Sequence, residues 1–346
     1  MTQLLRQLLL FSLLILITVA VYNIVIDPYG VIRGDMSKQF TTPNERYLKV
    51  KHVIQNPNLY NSYFFGSSRV SFINTKKIND NNTWYNLSYS AGVPGDFLYD
   101  LKTMKKNGVC IENLVIGIDD LSYYIDPQIH LTQDLRKPFK NRFNPLIEYI
   151  SLIPSIEFIK TRELRKKLRF QGFYDIYDSG VSHFLGKDGW IERHPEAHIN
   201  DPKFLVPKWD EDLYKSRIEP ALDEIKAIIL ICKQENIDLT FFFTPLHVQT
   251  YLKQHFKDYS EFLLQLSQLT SFYDFSGINA ITIDNYNYYE TSHFRPFIGD
   301  MMLDRLFREE RSEFGVLVTS ETIDSVILQK QKDITEYKLK NKTPYN

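Results

Sequence analysis

The sequence predicts an α/β fold, a mostly parallel sheet with helices on both faces, behind a single N-terminal membrane helix. Three observations predict it. Short apolar or aromatic runs closed by turn residues alternate with stretches whose apolar side chains recur at helical spacing. Asn113-Leu114-Val115-Ile116-Gly117-Ile118 is a continuous apolar run with polar flanks, the pattern of a strand buried on both faces. No charged residue stands between Arg6 and Asp27, and Leu8 to Ile26 is almost wholly apolar.

Composition bounds the function classes. The chain has 346 residues, enough for a sizeable core, and 43% hydrophobic against 24% charged is a globular balance, not a disordered one. A net charge of −1 lacks the basic excess of a general nucleic-acid binder, so nucleic acid is not an expected partner. The 22 Tyr and 24 Phe suit stacking on sugar rings, although core packing is the commoner use of such side chains.

From the N-terminus, Leu8 to Ile26 has about the length a helix needs to cross a bilayer. Thr18-Val19-Ala20 offers the small-x-small site of a cleaved signal peptide, but the apolar run continues through Ile24-Val25-Ile26 and so favours an uncleaved anchor. Arg6 and the terminal amine favour a cytoplasmic N-terminus, with the body extracytoplasmic, in the periplasm of a cell that has one. Asp27-Pro28-Tyr29-Gly30 reads as the exit turn. The expected organisation is an anchor over 1–30, an α/β domain over 31–310 with a helical and loop insertion at 126–215, and a helical tail over 311–346. Cys110 and Cys232 are the two cysteines. Their expected places, before a strand and within a helix, do not force a disulfide, and no CxxC pair is present.

The elements follow in order. A short helix is expected over Glu45 to Val53, then strands at Asn61 to Phe65 and Trp84 to Leu87, each closed by turn residues. Asp96 to Lys106 is a helix with Phe97, Leu98, Leu101 and Met104 on one side, ending at Gly108. The strand at Asn113 to Ile118 comes next. The insertion breaks the rhythm with helical pieces around Pro145 to Phe170, including the basic run Arg162 to Arg169, and a loop rich in Gly, His, Asp and Pro. That run reads as a solvated face, or as a contact with anionic lipid if it faces the bilayer. Ile218 to Asn236 is then a helix, Leu239 to Phe243 a strand stopped by Thr244-Pro245, and Asp258 to Leu269 a helix. Phe272 to Phe275 reads as the last strand, Pro296 to Phe307 as a helix with Pro in its first turn, and Ser320 to Lys340 as a separate amphipathic helix.

In a parallel sheet of this kind the site lies at the carboxyl ends of the strands. Gly66-Ser67-Ser68, Gly92, Asp119, His247 and the turn Glu290-Thr291-Ser292-His293 all fall on that side. Glu290 stands three residues before His293, a spacing at which the acid can hold the imidazole of a base. Ser68, in a tight turn after a strand, is the candidate nucleophile, because a free serine hydroxyl needs such a base. Each of these short patterns also has a bland reading, as an ordinary turn or a surface polar pair.

Gly66-Ser67-Ser68-Arg69, Asn86-Leu87-Ser88-Tyr89-Ser90-Ala91-Gly92, Gly117-Ile118-Asp119-Asp120 and Glu290-Thr291-Ser292-His293-Phe294 occur in that order. Together they resemble the four sequence blocks of the SGNH (GDSL-like) esterases and acyltransferases. The likeness is to the membrane-anchored branch that includes the D-alanine-transfer protein of teichoic acids and the alginate O-acetylation proteins. It covers the anchor, 61–125 and 216–308, and leaves 126–215 and the tail unexplained.

The resemblance implies a three-layer, flavodoxin-like parallel sheet and a serine hydrolase site. Ser68 matches the nucleophile, His293 the base, and Glu290 the acid, where the family usually has Asp. Ser68 and Gly92, or the neighbouring Ala91 N–H, match the oxyanion donors. Asp119 stands where the family has an Asn donor. An ionised carboxylate cannot donate there, so either Asp119 pairs with Arg69 and backbone groups form the hole, or the site is slow or inactive. Arg69 and His247 are candidates for contacting substrate, with a backbone-bonded loop histidine as the bland reading of His247. Asp274 is a rival acid or a strand cap. His194 and His198 have ligand spacing, but Pro195 between them argues against a metal site, and neither metal nor organic cofactor is implied. The expected activity is that of an envelope esterase or O-acyltransferase acting on acyl esters of a cell-surface glycan, with a membrane partner as acyl donor. The alternative is a non-catalytic module that binds glycan or scaffolds an envelope assembly.

Overall fold

The computed structural model describes residues 2–32, 42–140, 147, 149–150, 152, 156–167, 173–205, 215–308 and 314–341. It opens with helix α1 (Thr2–Ile26), of which Gln3–Ile26, 24 residues, is long and apolar enough to cross a membrane. Its leucines stay exposed, Leu9 and Leu16 among them, so no protein core claims this helix. At its far end Asn23 is buried, and its amide donates to the Ile150 and Leu152 carbonyls at 2.8 and 2.5 Å.

Helix α2 (Glu45–Gln55) follows, capped by the Asn44 side chain accepting from the Tyr47 N–H. Then come β1 (Ser62–Phe65), β2 (Trp84–Asn86), α3 (Pro94–Lys106) and β3 (Asn113–Ile118). The insertion contributes α4 (Ile156–Lys167), a two-stranded pair of Phe173–Tyr174 with Ser182–His183, and short helices over Leu185–Arg193 and Pro195–Ile199. Pro145, Phe170 and residues 168 and 169 of the basic run lie outside the described residues. The alternation resumes with α5 (Ile218–Glu235), β4 (Asp238–Phe243), α6 (Phe256–Leu269) and β5 (Phe272–Asp274). A hairpin of β6 (Tyr288–Glu290) and β7 (His293–Phe294) leads into α7 (Pro296–Phe307), and β8 (Val316–Val318) and α8 (Ile323–Lys340) close the chain.

Six strands form the main sheet in the order β8-β5-β4-β3-β1-β2, all parallel except β8. The chain runs from β1 outward to β2, then crosses back to place β3 on the other side of β1. That reversal opens a crevice at the carboxyl ends of β1 and β3. The two faces can be read residue by residue, because side chains alternate along a strand. Tyr63, Phe65, Leu114, Ile116, Phe241 and Phe243 enter one core, which α3, α5 and α6 cover. Phe64, Val115 and Phe242 enter the other, which α7, the hairpin and part of the insertion cover. Burial on both sides explains why β3 has no polar alternation. Each such phenylalanine contributes roughly 1.5–3 kcal/mol by burial.

The C-terminal segment is part of this body. β8 pairs antiparallel with β5 at the sheet edge, and the expected separate helix α8 buries Lys330, whose Nζ lies 2.9 Å from Asp274 Oδ2. Cys110 and Cys232 are both free thiols.

Candidate active site

β1 delivers Ser68 into the crevice. Past Phe65 the chain folds through consecutive tight turns, with Val70 N–H on Ser67 O at 3.0 Å and Ser71 N–H on Ser68 O at 3.2 Å. No helix follows Ser68 directly; the next helical turn is Thr75–Lys77. Ser68 is half-buried, and its Oγ lies 2.9 Å from His293 Nε2.

The histidine comes from the hairpin. A tight turn at Thr291-Ser292 makes Glu290 and His293 cross-strand partners, so their side chains share a face. The Glu290 Oε1 accepts from His293 Nδ1, and its Oε2 accepts from the Ser292 N–H at 2.8 Å. Burial pushes the Glu290 carboxyl up, but the bonds from His293 and Ser292 and the charge of Lys187 outweigh it, and the net shift is downward. The carboxylate therefore stays ionised and holds Nδ1 protonated, leaving Nε2 to face the Ser68 hydroxyl.

Side chains outside the sequence-predicted site brace this hairpin. His198 Nε2 bonds the Tyr288 carbonyl at 2.7 Å, the Thr250 hydroxyl donates to Thr291 O at 2.6 Å, and Tyr288 donates to Pro245 O at 3.0 Å. Asp188 accepts from Arg295 Nε at 2.9 Å and from the Tyr289 hydroxyl. The Phe72 ring stands edge-on to His293 with centroids 5.8 Å apart. The insertion thus supplies His198 and Asp188 to a wall of the site, which its lack of apolar periodicity gave no means of foreseeing.

The loop after β2 forms the other side. Asn86 ties it to the Ser68 turn: its amide donates to the Val70 and Ile73 carbonyls at 3.0 and 3.1 Å, and its oxygen accepts from Ser88 N–H at 3.1 Å and Ser88 Oγ at 2.5 Å. Lys49 reaches in from α2 to donate to Ser88 O at 2.6 Å. A Cβ at Gly92 would lie 2.8 Å from the Gly66 carbonyl, so only glycine lets the two loops approach so closely. The Gly92 N–H closes a turn onto Tyr89 O at 3.2 Å and is not the free donor expected. Its neighbour Ala91 adopts φ +53°, in the left-handed region. Among the described residues neither the Ala91 nor the Ser68 N–H has a hydrogen-bond acceptor.

Four further candidate residues are engaged elsewhere. Asp119 is not placed as an oxyanion donor. It is buried at the end of β3, caps the turn Asp120–Tyr123, and accepts from Ser67 Oγ at 2.5 Å and Leu121 N–H at 3.0 Å. Arg69 does not face a substrate either: its Nη1 lies 3.2 Å from Asp119 Oδ2 and also bonds Asp120. Burial opposes the Arg69 charge, but Asp120 and Asp119 outweigh burial and hold it protonated. Burial likewise pushes the Asp119 carboxyl up, with Arg69 drawing it back. His247, also buried, accepts from the Gln249 N–H at 3.2 Å and bonds Asn285 at 2.8 Å, so it caps a helical turn and is not aimed at Ser68. Asp274 is occupied by Lys330 and Ser276 and is not the acid of the site. Among the described residues no His, Cys, Asp and Glu cluster suits a metal ion.

No family model matches the chain, and no curated protein matches it either.

Proposed function

We propose that the protein is a membrane-anchored serine esterase or O-acyltransferase of the SGNH type, acting on acyl esters of a cell-envelope glycan. The observation that carries this reading is the line Ser68 Oγ, His293 Nε2, His293 Nδ1, Glu290 Oε1, with 2.9 Å at its first step. A hydroxyl hydrogen-bonded to an imidazole whose other nitrogen is held by a carboxylate is the arrangement that activates serine for acyl transfer. The parallel order β2-β1-β3-β4-β5, which flavodoxin-like sheets use, supports a three-layer fold of that kind, as does the site's position at the strand-order reversal.

In the reaction Ser68 Oγ attacks the acyl carbonyl while His293 Nε2 takes its proton. The negative oxygen of the tetrahedral intermediate is held by the free N–H groups of Ser68 and Ala91. As the intermediate collapses, His293 returns the proton to the departing alcohol. Water or a glycan hydroxyl, deprotonated by His293, then attacks the acyl-serine, and as the second intermediate collapses His293 returns that proton to Ser68 Oγ and frees the serine. The glycan as acceptor, the acyl donor delivered by a membrane partner, and an extracytoplasmic body rest on α1 together with the four sequence blocks. Asp119 is the observation on the other side: an Asn donor is missing from the third block, which favours a non-catalytic glycan-binding or scaffolding module.

Turnover of p-nitrophenyl acetate by the purified chain separates the two readings. The enzymatic one expects hydrolysis that disappears in Ser68→Ala and in His293→Ala. Equal rates in all three proteins would leave the binding module as the better reading.

A further inference from the structure

We infer that α4 lies along the bilayer surface and seats its exposed apolar residues among anionic lipid headgroups on the side where α1 emerges. The inference rests on α1 spanning that bilayer. The tie between the two helices is local and polar. Asn23, fully buried near the end of α1, donates to the carbonyls of Ile150 and Leu152. Beside it the Tyr29 and Tyr149 rings pack with centroids 5.6 Å apart, aromatic side chains of the type enriched at membrane interfaces. Tyr149, Ile150 and Leu152 are thereby fixed at the membrane exit. From Leu152 to Ile156, where α4 begins, four residues span at most about 14 Å. The first turn of α4 cannot leave the neighbourhood of the headgroups.

The composition of α4 fits that place. Ile156 is 73% exposed, Ile159 41% and Leu164 57%, and no core receives them. With Lys160 they fall within an arc of about 140° at 3.6 residues per turn. The helix carries five basic residues against two acidic ones, and one of those acids, Glu163, is taken up by Arg162 at 2.6 Å. Apolar side chains beside an excess of Lys and Arg are what an interfacial helix on an anionic surface requires. A soluble protein partner would need no such proximity to the membrane exit. Docked in this way, α4 gives the body a second attachment and limits its rotation about α1, and so the direction in which the crevice opens.

The test uses the full chain with Cys110→Ser, in which the remaining Cys232 is buried. Single cysteines are introduced as Ile159→Cys, Leu14→Cys and Leu230→Cys, labelled with an environment-sensitive fluorophore, and reconstituted into vesicles. The vesicles are phosphatidylcholine alone or an equal mixture with phosphatidylglycerol, each with and without brominated acyl chains. The expected result is quenching at Leu14 in both lipids, quenching at Ile159 several-fold stronger with phosphatidylglycerol, and none at Leu230, which lies on the exposed face of α5. An unquenched Ile159 label beside a quenched Leu14 label would overturn the inference and leave the anchor standing. Equal quenching at Ile159 in both lipids would overturn the requirement for anionic lipid. An unquenched Leu14 label would remove the anchor and the inference with it.

Discussion

Asp119 Oδ2 lies 3.2 Å from Arg69 Nη1, and both side chains are buried behind the turn that presents Ser68. The carboxylate that the four blocks set at the oxyanion position therefore works as a strut, joining the end of β3 to the Ser68 turn through Ser67 and Arg69. Its negative charge is matched by Arg69 rather than directed at a developing oxyanion. Asp119→Asn should consequently lower stability by about 1.5–3 kcal/mol, the worth of a hydrogen bond to a charged group, and should not raise the acyl-transfer rate. Denaturant unfolding and p-nitrophenyl acetate turnover check both halves. A rate gain of about 10²–10³ would place this side chain at the oxyanion after all.

Glu290 makes the second expectation. Its folded carboxyl titrates below the ordinary 4.5, so it contributes stability that is present above pH 4.5 and lost as pH falls through the lower folded value. Glu290→Gln should flatten that acid limb of the unfolding curve. At neutral pH it should lower kcat by about 10³–10⁴ with a much smaller change in KM, since the charge that favours the imidazolium is gone.

The third concerns Asn86, which joins two loops through both ends of one amide. Asn86→Ala leaves the buried carbonyls of Val70 and Ile73 without this donor. The cost should be roughly 2–6 kcal/mol, at about 1–3 kcal/mol for each of the two buried groups that lose their partner, the Ile73 carbonyl and the Ser88 N–H. Because the same amide sets Ser68 relative to Ala91, kcat should fall while chemical labelling of Ser68 persists. Calorimetry and a labelling time course measure the two effects.

A fourth follows from the docking of α8. Lys330 is buried against Asp274, and although burial lowers its pKa, Asp274 and Tyr251 outweigh it and raise the net value above 10.5. Its contribution is therefore fully present below pH 10.5 and lost only as pH rises through the higher folded value. Lys330→Ala strands a buried carboxylate and should cost about 3–5 kcal/mol, with early hydrogen exchange in α8. Replacing both Lys330 and Asp274 by apolar residues should recover much of the loss.

Local pattern explains what the sequence made legible. β3 and α7 lie where their apolar run and their N-terminal proline place them, because β3 is buried on both faces and Pro296 fits the first turn. Ser68, His293 and Glu290 could be paired from the turn after a strand at Ser68, the three-residue spacing of Glu290 and His293, and the order of the four blocks. β8 was not legible: Val316-Leu317-Val318 is three residues long and leaves Val316 and Leu317 exposed at an edge, and its pairing with β5 is a tertiary event. Nothing local to Lys330 marks it as buried, because its partner Asp274 is distant in sequence. Gly92 matched a block by type, but whether its N–H or that of Ala91 is free depends on a turn at Tyr89 and a positive φ. The bracing by His198 and Asp188 had no periodic signal, since single polar side chains make those contacts.

The central claim is that Ser68 is a nucleophile driven by His293. Incubation of the intact chain with a fluorophosphonate, followed by peptide mass spectrometry, puts that claim to measurement. A single adduct on Ser68, lost in Ser68→Ala and slowed by at least about 10³ in His293→Ala, is the expected result. An unlabelled wild-type protein, or labelling that proceeds at the same rate without His293, would contradict it.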